Sequence, residues 1–245
     1  MKRLLDISVS IIGLMLFSPV LVVAILLVWL QDFHSPFYIA SRVTIGGKTF
    51  RMVKLRSMKV NADKSGVDST SGNDPRITMI GTFIRKIKLD EITQLWNVLI
   101  GDMSLVGPRP NVKRETDLYT EEEKKLLTVK PGITDISSIV FSDEGGILEG
   151  EADPDLAYNQ IIRPWKSRLG LVYINNQSLL LDIKLISITI ASMFFRSFAL
   201  CKIQRLLIDL NVSAELAKIA LREEPLFPAP PPGASEIVIS RVFSE

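Results

Sequence analysis

The chain is poor in the two residues on which many catalytic and metal sites depend. Its 245 residues include one cysteine, Cys201, and one histidine, His34. A single cysteine excludes an intramolecular disulfide and a cysteine-rich zinc site. A histidine-dependent triad or a multi-histidine metal centre would rest on His34 alone, so both are disfavoured.

The chain also lacks a charge imbalance, because 29 basic residues face 27 acidic ones, for a formal charge of +2. This balance argues against a bulk nucleic-acid binder, and we expect no nucleic-acid partner. Apolar residues make up 47% of the chain and the mean hydropathy is +0.26, which is high beside 23% charged residues. The apolar excess is concentrated near the N-terminus, and the length allows one sizeable core.

Residues 9–30 form an uncharged apolar run of 22 residues, the length of one bilayer-spanning helix. A cleaved signal peptide fits poorly, because the run is long and no small-residue cleavage site follows it. Pro19 predicts a kink, and the Ser18 hydroxyl can bond the carbonyl of Met15 that the proline frees. The two halves would be roughly 14 and 17 Å long, each shorter than a membrane core of about 30 Å. The run therefore fits either a plain kinked span or a re-entrant helix whose ends share one face.

Charged residues before this run also have two interpretations. Lys2, Arg3 and Asp6 fit either an interfacial anchor with an Arg3–Asp6 ion pair or a site for lipid headgroups. A later apolar stretch, residues 178–200, is interrupted by charges, and its longest uncharged part, residues 185–195, is too short to span a membrane. It fits an interfacial helix or a core helix.

The remaining sequence alternates between strand, loop and helix signals. Residues 37–58 alternate apolar and polar positions around two glycines, which predicts a β-hairpin, and the polar residues 59–76 predict a surface loop. A helical pattern follows over residues 77–99, and Thr120 is a plausible N-cap of a further helix. After residue 223 a proline-rich stretch predicts an extended linker, and residues 236–243 predict a short strand or a partner-binding tail.

Two adjacent carboxylates, Asp90 and Glu91, precede a turn rich in glycine, proline and arginine. Neighbouring helix residues point about 100° apart, so the pair can serve two roles around one point but cannot act as a single clamp. One side chain would attack or orient a substrate while the other holds a cation. An ionised aspartate attacks phosphorus without a general base, and phosphoryl centres usually require Mg²⁺.

Nearby basic residues could neutralise phosphates: Lys54, Arg56, Arg85, Lys86, Lys88 and Arg109. Gly101 and Gly107 would let the backbone approach a ligand closely. An Asp–Glu pair on a helix is, however, usually a solvated surface with ordinary ion-pair partners, so the spacing alone does not decide between the two interpretations.

Longer motifs decide between them. They are Lys2–Asp6, Ser18-Pro19, Lys54–Met58, Leu89-Asp90-Glu91, Gln94–Val98, Gly101–Pro110 with the sequence GDMSLVGPRP, Lys130–Thr134, and Tyr173–Ser178 followed by Asp182. In order and content the chain resembles, over about residues 1–200, the bacterial sugar transferases. These are monotopic phosphoglycosyl transferases that start cell-surface glycan assembly on a polyprenyl phosphate.

The resemblance implies roles for individual residues. Asp90 would be the catalytic aspartate that forms a covalent phosphosugar intermediate, and Glu91 would be the glutamate that binds Mg²⁺. Arg85 and Arg109 match positions expected to contact phosphates. Pro108 and Pro110 would shape the turn on either side of Arg109.

The resemblance also implies the fold and the location. Ser18-Pro19 matches a re-entrant bend, and Lys2 and Arg3 match residues at the lipid headgroup boundary. We expect an α+β, mainly helical, monotopic enzyme with a re-entrant kinked helix, a small β-hairpin and interfacial helices. The expected parts are a membrane helix over residues 1–34, a catalytic domain over 35–205 and a C-terminal extension with a proline-rich tail over 206–245. The expected location is the cytoplasmic face of the bacterial inner membrane.

The implied reaction moves a sugar 1-phosphate from a UDP-sugar to undecaprenyl phosphate and releases UMP. The expected partners are this donor, this acceptor and membrane lipid, while a homodimer and contacts with downstream glycosyltransferases stay open. Residues 135–170 depart from the family pattern in the region expected to help form the donor pocket. Two alternatives from other classes are a metal-dependent phosphohydrolase and a non-catalytic, membrane-anchored scaffold that recruits partners through its tail.

Overall fold

A computed structural model describes residues 1–65, 69–70, 72 and 74–240 of the chain. Parts of the predicted loop, residues 66–68, 71 and 73, and the last residues of the predicted tail, 241–243, lie outside this range.

The helices are α1 (Lys2–Leu30), α2 (Met79–Lys86), α3 (Leu89–Ile92), α4 (Leu95–Ile100), α5 (Lys113–Thr116), α6 (Ile136–Val140), α7 (Glu144–Ile147), α8 (Pro154–Ala157), α9 (Arg163–Asn175), α10 (Leu179–Ser192), α11 (Arg196–Asp209) and α12 (Ala214–Leu221). The strands are β1 (Phe37–Val43), β2 (Thr49–Leu55), β3 (Ser104–Val106) and β4 (Gly132–Thr134). Short 3₁₀ segments cover Ile45–Gly47, Ala62–Ser65 and Glu123–Thr128, and a π-helical turn covers Tyr158–Ile162.

The chain is mainly helical with two small sheets, which confirms the predicted class at that level. The predicted hairpin is confirmed: β1 and β2 pair antiparallel, with Tyr38 opposite Lys54. Gly46 and Gly47 make the connection with φ of 68° and 75°, values that glycine adopts without strain.

Helix α1 runs through Pro19 without losing its helical assignment. The Ser18 hydroxyl donates a hydrogen bond of 2.8 Å to the carbonyl of Met15, as predicted for the acceptor freed by the proline. Among the described residues, α1 is the helix long and apolar enough to cross a membrane by length and composition. The re-entrant path remains a prediction.

Both ends of α1 pack on the same folded body. Near its start, buried Asp6 accepts hydrogen bonds from the Ser104 hydroxyl and the Leu105 backbone NH at 3.0 Å. Towards its end, Leu21, Ala24 and Val28 form a small apolar core with side chains of β2, α2 and α3. The expected Arg3–Asp6 ion pair is wrong, because Asp6 turns inward to cap β3 and Arg3 bonds carbonyls of α4.

The helical pattern over residues 77–99 breaks into α2, α3 and α4. Lys88 lies between the first two with φ 54°, a left-handed conformation in which a helix cannot continue. Further along, Thr120 makes capping bonds with Glu123: its hydroxyl accepts from the Glu123 NH, and the Glu123 carboxylate accepts from the Thr120 NH, each at 3.1 Å. The predicted N-cap position is wrong, however, because the helical segment begins at Glu123 with Glu122 as its N-cap. That segment is a 3₁₀ helix rather than an α-helix.

The main core lies between α6, α9, α10, α11 and α12, where Ile136, Leu169, Leu185 and Ile203 are fully buried. The parallel pair of β3 and β4 borders this core. Helix α10 is buried along Leu181 and Leu185. Other apolar side chains of α10, and those of residues 193–195 between α10 and α11, are exposed. The core interpretation therefore holds for one face of this stretch, and the interfacial interpretation of the exposed face stays a prediction.

The proline-rich tail lies along α9 instead of extending away as a linker. The backbone NH of Ala229 donates to the carbonyl of Gln160 at 3.0 Å, and the Arg168 guanidinium donates to the carbonyl of Pro230 at 2.9 Å. Phe227 packs edge-on against Trp165 with ring centroids 5.1 Å apart. The tail thus supports the outer face of α9 and the π-helical turn before it.

Candidate active site

Two side chains fix the short helix that carries Asp90 and Glu91. The Thr93 hydroxyl donates to the carbonyl of Val53 at 3.2 Å. Asn97, one turn later and fully buried, accepts from the Val53 NH at 2.9 Å and donates to the Arg51 carbonyl at 2.8 Å. These bonds hold α3 and α4 against β2, the strand that carries Lys54.

Arg85 is placed by close backbone packing of α2. The Thr78 hydroxyl caps α2 by accepting from the Gly81 NH at 3.0 Å. A β-carbon at Gly81 would lie 1.8 Å from the carbonyl oxygen of Ser57, so only glycine permits this approach. One turn further, Arg85 Nε donates to the Ser57 hydroxyl at 3.1 Å.

Arg109 enters the site from the turn after β3. The expectation that Gly107 admits a ligand is wrong, because its space is filled by β4: a β-carbon there would lie 2.5 Å from the Lys130 carbonyl oxygen. Gly101 is likewise structural, with φ 97° at the end of α4. Pro108 and Pro110 are buried on either side of Arg109, whose guanidinium donates to the Glu91 carboxylate at 2.9 Å.

The charges around the dyad act on one another. Burial lowers the pKa of Lys54 to about 8, and the Arg109 charge adds to this, against the opposing pull of Asp90 and Glu91. Burial also raises the pKa of Glu91, but Arg109, Lys88 and Lys54 outweigh it, so the net pKa lies below its usual range. Glu91 in turn raises the pKa of Arg109. At neutral pH this part of the site holds an ionised Glu91 bound to a charged Arg109.

Asp90 is in a different state from its neighbour. Burial raises its pKa, and the nearby Glu91 adds to the rise, while Lys54, Arg85 and Arg109 oppose it. Among the described residues, none donates a hydrogen bond to the Asp90 carboxylate, although the Thr93 hydroxyl bonds its backbone carbonyl at 3.0 Å. The carboxylate is therefore surrounded by cations without being held by one.

The dyad lies in a cleft of about 1290 Å³, large enough for a nucleotide-sized ligand. The cleft is lined by more basic than acidic side chains. The cleft is also lined by Glu144, Tyr158 and Lys166, which the sequence did not single out. No short motif marks these three residues, since they come from α7, the π-helical turn and α9.

Other predicted site residues lie in structural contacts. The buried Arg56 guanidinium donates to the Asp32 carboxylate at 2.6 Å and to the Ser35 carbonyl at 2.8 Å, so it joins the end of α1 to β2. Lys2 pairs with buried Asp182 at 2.6 Å and bonds the Tyr173 hydroxyl at 3.1 Å. Lys54, Arg85 and Arg109 lie around the dyad, whereas Arg56, Lys2, Arg3 and Asp6 connect α1 to the catalytic body.

The carboxylates suit a hard cation that shares its ligands with a substrate. Among the described residues, no group of three or more His, Cys, Asp or Glu side chains could hold a metal alone. Mg²⁺ commonly binds to one or two carboxylates and completes its shell with water and phosphate oxygens. Glu91, which is ionised and partly exposed, fits this pattern, because Arg109 engages only one of its two oxygens.

An apolar N-terminal helix and a basic cleft with an unbonded aspartate are features typical of a membrane-associated enzyme that acts on a phosphorylated ligand. The sequence model of the bacterial sugar transferase family matches residues 1–196. The chain belongs to this family, and it is a sugar-phosphate transferase.

Three relatives illustrate the family. The galactosyl transferase CpsE of Streptococcus agalactiae serotype III is 38% identical over 77% of this chain and 41% of its own length. A UDP-N-acetylgalactosamine-undecaprenyl-phosphate N-acetylgalactosaminephosphotransferase of Aeromonas hydrophila is 33% identical over 77% of this chain and 42% of its own. A Bacillus subtilis protein, provisionally named an undecaprenyl-phosphate N-acetylgalactosaminyl 1-phosphate transferase, is 44% identical over 54% of this chain and 70% of its own. The chain spans less than half the length of the first two.

Proposed function

We propose that the enzyme transfers a sugar 1-phosphate from a UDP-sugar to undecaprenyl phosphate and releases UMP. The names of the relatives support this donor and acceptor, since they describe undecaprenyl-phosphate sugar-phosphate transfer. They differ in the sugar, which is galactose in one case and N-acetylgalactosamine in another, so no single sugar follows from them.

The observation that carries the proposal is the state of Asp90. Its carboxylate faces a cleft, lies among the charges of Lys54, Arg85 and Arg109, and has no hydrogen-bond donor among the described residues. Structural carboxylates in the same molecule are bonded several times, as Asp6 is. A half-buried carboxylate with no protein hydrogen bond is a better nucleophile, because no protein donor must be released before it attacks.

The reaction then takes two steps at one phosphorus atom. In the first step an Asp90 oxygen bonds to the phosphorus that carries the sugar, the bond from that phosphorus to the bridging oxygen breaks, and UMP leaves with the electron pair. In the second step an oxygen of undecaprenyl phosphate attacks the same phosphorus and Asp90 leaves as a free carboxylate. The product is undecaprenyl diphosphate sugar. Neither step needs a general base at Asp90, which suits a chain whose single histidine, His34, is exposed and bonded to Asp32.

Around this phosphorus the basic residues have separate tasks. Arg109, fixed by Glu91 at 2.9 Å, and Lys54 on β2 are placed to neutralise the two phosphates of the donor. Arg85 approaches from α2, held by Ser57. Mg²⁺ bound by Glu91 would neutralise further charge on the diphosphate.

The packing of α1 supports a location on the cytoplasmic face. Its 29 residues make a helix of about 43 Å if straight, longer than a membrane core of about 30 Å. A simple span would leave its two ends on opposite sides, yet the same body holds Lys2 through Asp182 and holds Asp32, just past the other end, through Arg56. Contacts at both ends favour the re-entrant path, which keeps the cleft on the side where nucleotide sugars are made.

The test is UMP release by the full chain in lipid nanodiscs with undecaprenyl phosphate and a panel of UDP-sugars. We expect turnover with ping-pong kinetics, and we expect Asp90→Asn to lower kcat about a thousandfold or more, because an amide oxygen is a poor nucleophile. Asp117→Asn, a matched change at an exposed carboxylate, should leave the rate unchanged. Near-normal turnover by Asp90→Asn would refute the mechanism. Full-rate release of free sugar phosphate without lipid would favour a phosphohydrolase.

A further inference from the structure

The cleft that holds the dyad also carries an ion pair to which neither the motifs nor the family resemblance assigned a role. The Lys166 ammonium lies 2.7 Å from the Glu144 carboxylate and 5.3 Å from the centre of the Tyr158 ring. The Lys166 side chain is 12% exposed and that of Glu144 is 32% exposed. The acid therefore faces the cleft, while the lysine and the tyrosine behind it fix its position.

The Glu144 carboxylate also interacts electrostatically with Arg109 and Lys54, which lie around the dyad. Burial raises its pKa, but the Lys166 charge and hydrogen bond, with help from Arg109 and Lys54, bring the net pKa below its usual range. Glu144 likewise helps to raise the pKa of Arg109. An ionised Glu144 therefore shares the cleft with Lys54 and Arg109, the cations proposed to hold the diphosphate.

A carboxylate in a phosphate-binding cleft needs a partner other than phosphate. Glu144 already has a cationic partner in Lys166 and would repel phosphate, so the further ligands that suit its carboxylate, which only accepts hydrogen bonds, are hydroxyl or amide NH groups. In the proposed donor the sugar is joined directly to the phosphorus that Asp90 attacks. The ribose hydroxyls are one phosphate further away, so the sugar is the nearer source of donors.

We propose that Glu144 is a specificity-determining residue that binds the transferred sugar by accepting hydrogen bonds from its hydroxyl or acetamido groups. Lys166 is a positioning residue that holds the Glu144 carboxylate in place. This inference rests on the proposed function, because it takes the cleft to bind a UDP-sugar. It gives a role to a segment, residues 135–170, whose sequence departs from the family pattern.

The test compares ligands with and without the sugar on the full chain in nanodiscs. Dissociation constants of a UDP-hexose, a UDP-N-acetylhexosamine, UDP and UMP are measured in the Asp90→Asn background, where no covalent intermediate forms, for the otherwise wild-type chain, Glu144→Gln, Lys166→Met and the control Glu151→Gln. Glu151 is an exposed carboxylate on the same segment. The advantage of the preferred UDP-sugar over UDP should fall about tenfold or more in Glu144→Gln, since a bond to a charged acceptor is lost, while UMP affinity stays unchanged. Lys166→Met should also reduce the affinity advantage of the UDP-sugar over UDP. The double variant Glu144→Gln/Lys166→Met should reduce this advantage little further than Glu144→Gln alone.

Two outcomes would overturn the inference. If Glu144→Gln binds every UDP-sugar as the wild type does, the carboxylate does not contact the sugar. If it weakens UMP as much as the UDP-sugar, it contacts the nucleotide instead. Both differ from failure of the proposed function, in which the wild type itself would bind no UDP-sugar more tightly than UMP and would release no UMP. Thermal unfolding of each variant separates a lost contact from a lost fold.

Discussion

Lys54 should impose an alkaline limit on the activity. Its ammonium interacts with the charges of Asp90, Glu91 and Arg109, and burial with the Arg109 charge lowers its pKa from 10.5 to about 8. A lysine is charged below its pKa, so Lys54 should hold the donor phosphates at pH 7 and lose that ability as the pH rises through 8. The perturbation that tests this is Lys54→Arg, since arginine keeps its charge throughout this range.

The size of the effect follows from this pKa. Between pH 7 and pH 9 the charged fraction of a group with a pKa of about 8 falls about tenfold, so kcat/KM should fall by about the same factor. The parameter kcat/KM reports the free enzyme, in which no donor phosphate is present to raise the pKa of Lys54. The limit should therefore be weaker in kcat than in kcat/KM.

The assay is UMP release at low donor concentration over pH 6 to 9.5, a range about the expected pKa. The wild type and the control Lys113→Arg, at an exposed lysine paired with Asp117, should share the alkaline limb. Lys54→Arg should abolish this limb, whereas Lys54→Met should be slow at every pH. If Lys54→Arg kept an alkaline limb at the same pH, the assignment of the charge to Lys54 would be refuted.

Three further predictions concern the site and its support. Arg109→Ala should lower kcat/KM for UMP release about a hundredfold or more, and should raise the pKa of its partner carboxylate, because burial there is no longer offset. Gly132→Ala should destabilise the fold by about 3 kcal/mol or more in thermal unfolding, since the new β-carbon would lie 2.1 Å from the Gly107 nitrogen. Gly146→Ala, with open space around it, is its control and should change stability by less than about 1 kcal/mol. Deletion of residues 226–245 should lower the melting temperature and raise the donor KM, because the tail supports α9; an unchanged KM and melting temperature would contradict that role.

Local patterns predicted the elements that depend on local physics. The hairpin of β1 and β2 follows from alternation and two glycines, and the Ser18–Met15 hydrogen bond follows from the position of Pro19. The GDMSLVGPRP motif correctly linked Arg109 with the dyad, although they lie 18 residues apart in sequence. These features are encoded within a short segment or within a family motif.

Contacts between distant segments were harder to predict. Arg56 was predicted to bind phosphate because residues two apart on a strand, such as Lys54 and Arg56, point to the same face. The strand β2 ends at Leu55, however, so this rule does not apply to Arg56. The partner of Arg56, Asp32, comes from beyond α1. Gly107 looked like a ligand-binding glycine because no local signal shows that the backbone of Gly132 fills the space beside it.

The contacts of Glu144 with Lys166, and of the proline-rich tail with α9, were also beyond prediction from local sequence. Glu144 and Lys166 meet only because α7 and α9 pack against the core, and neither belongs to a recognisable motif. Proline content predicted an extended linker, but this segment packs on the folded body. Its carbonyls at Phe227 and Pro230 accept bonds from α9, which no compositional argument foresees.

The most direct test of the central claim is to trap the intermediate on residue 90. The enzyme is incubated with its UDP-sugar in the absence of undecaprenyl phosphate, quenched in acid, digested and analysed by mass spectrometry. The account predicts one phosphosugar on the peptide that contains Asp90, its loss on adding the lipid acceptor, and its absence from Asp90→Asn. Rapid turnover with lipid but no adduct on that peptide under any quench would contradict a covalent route through Asp90.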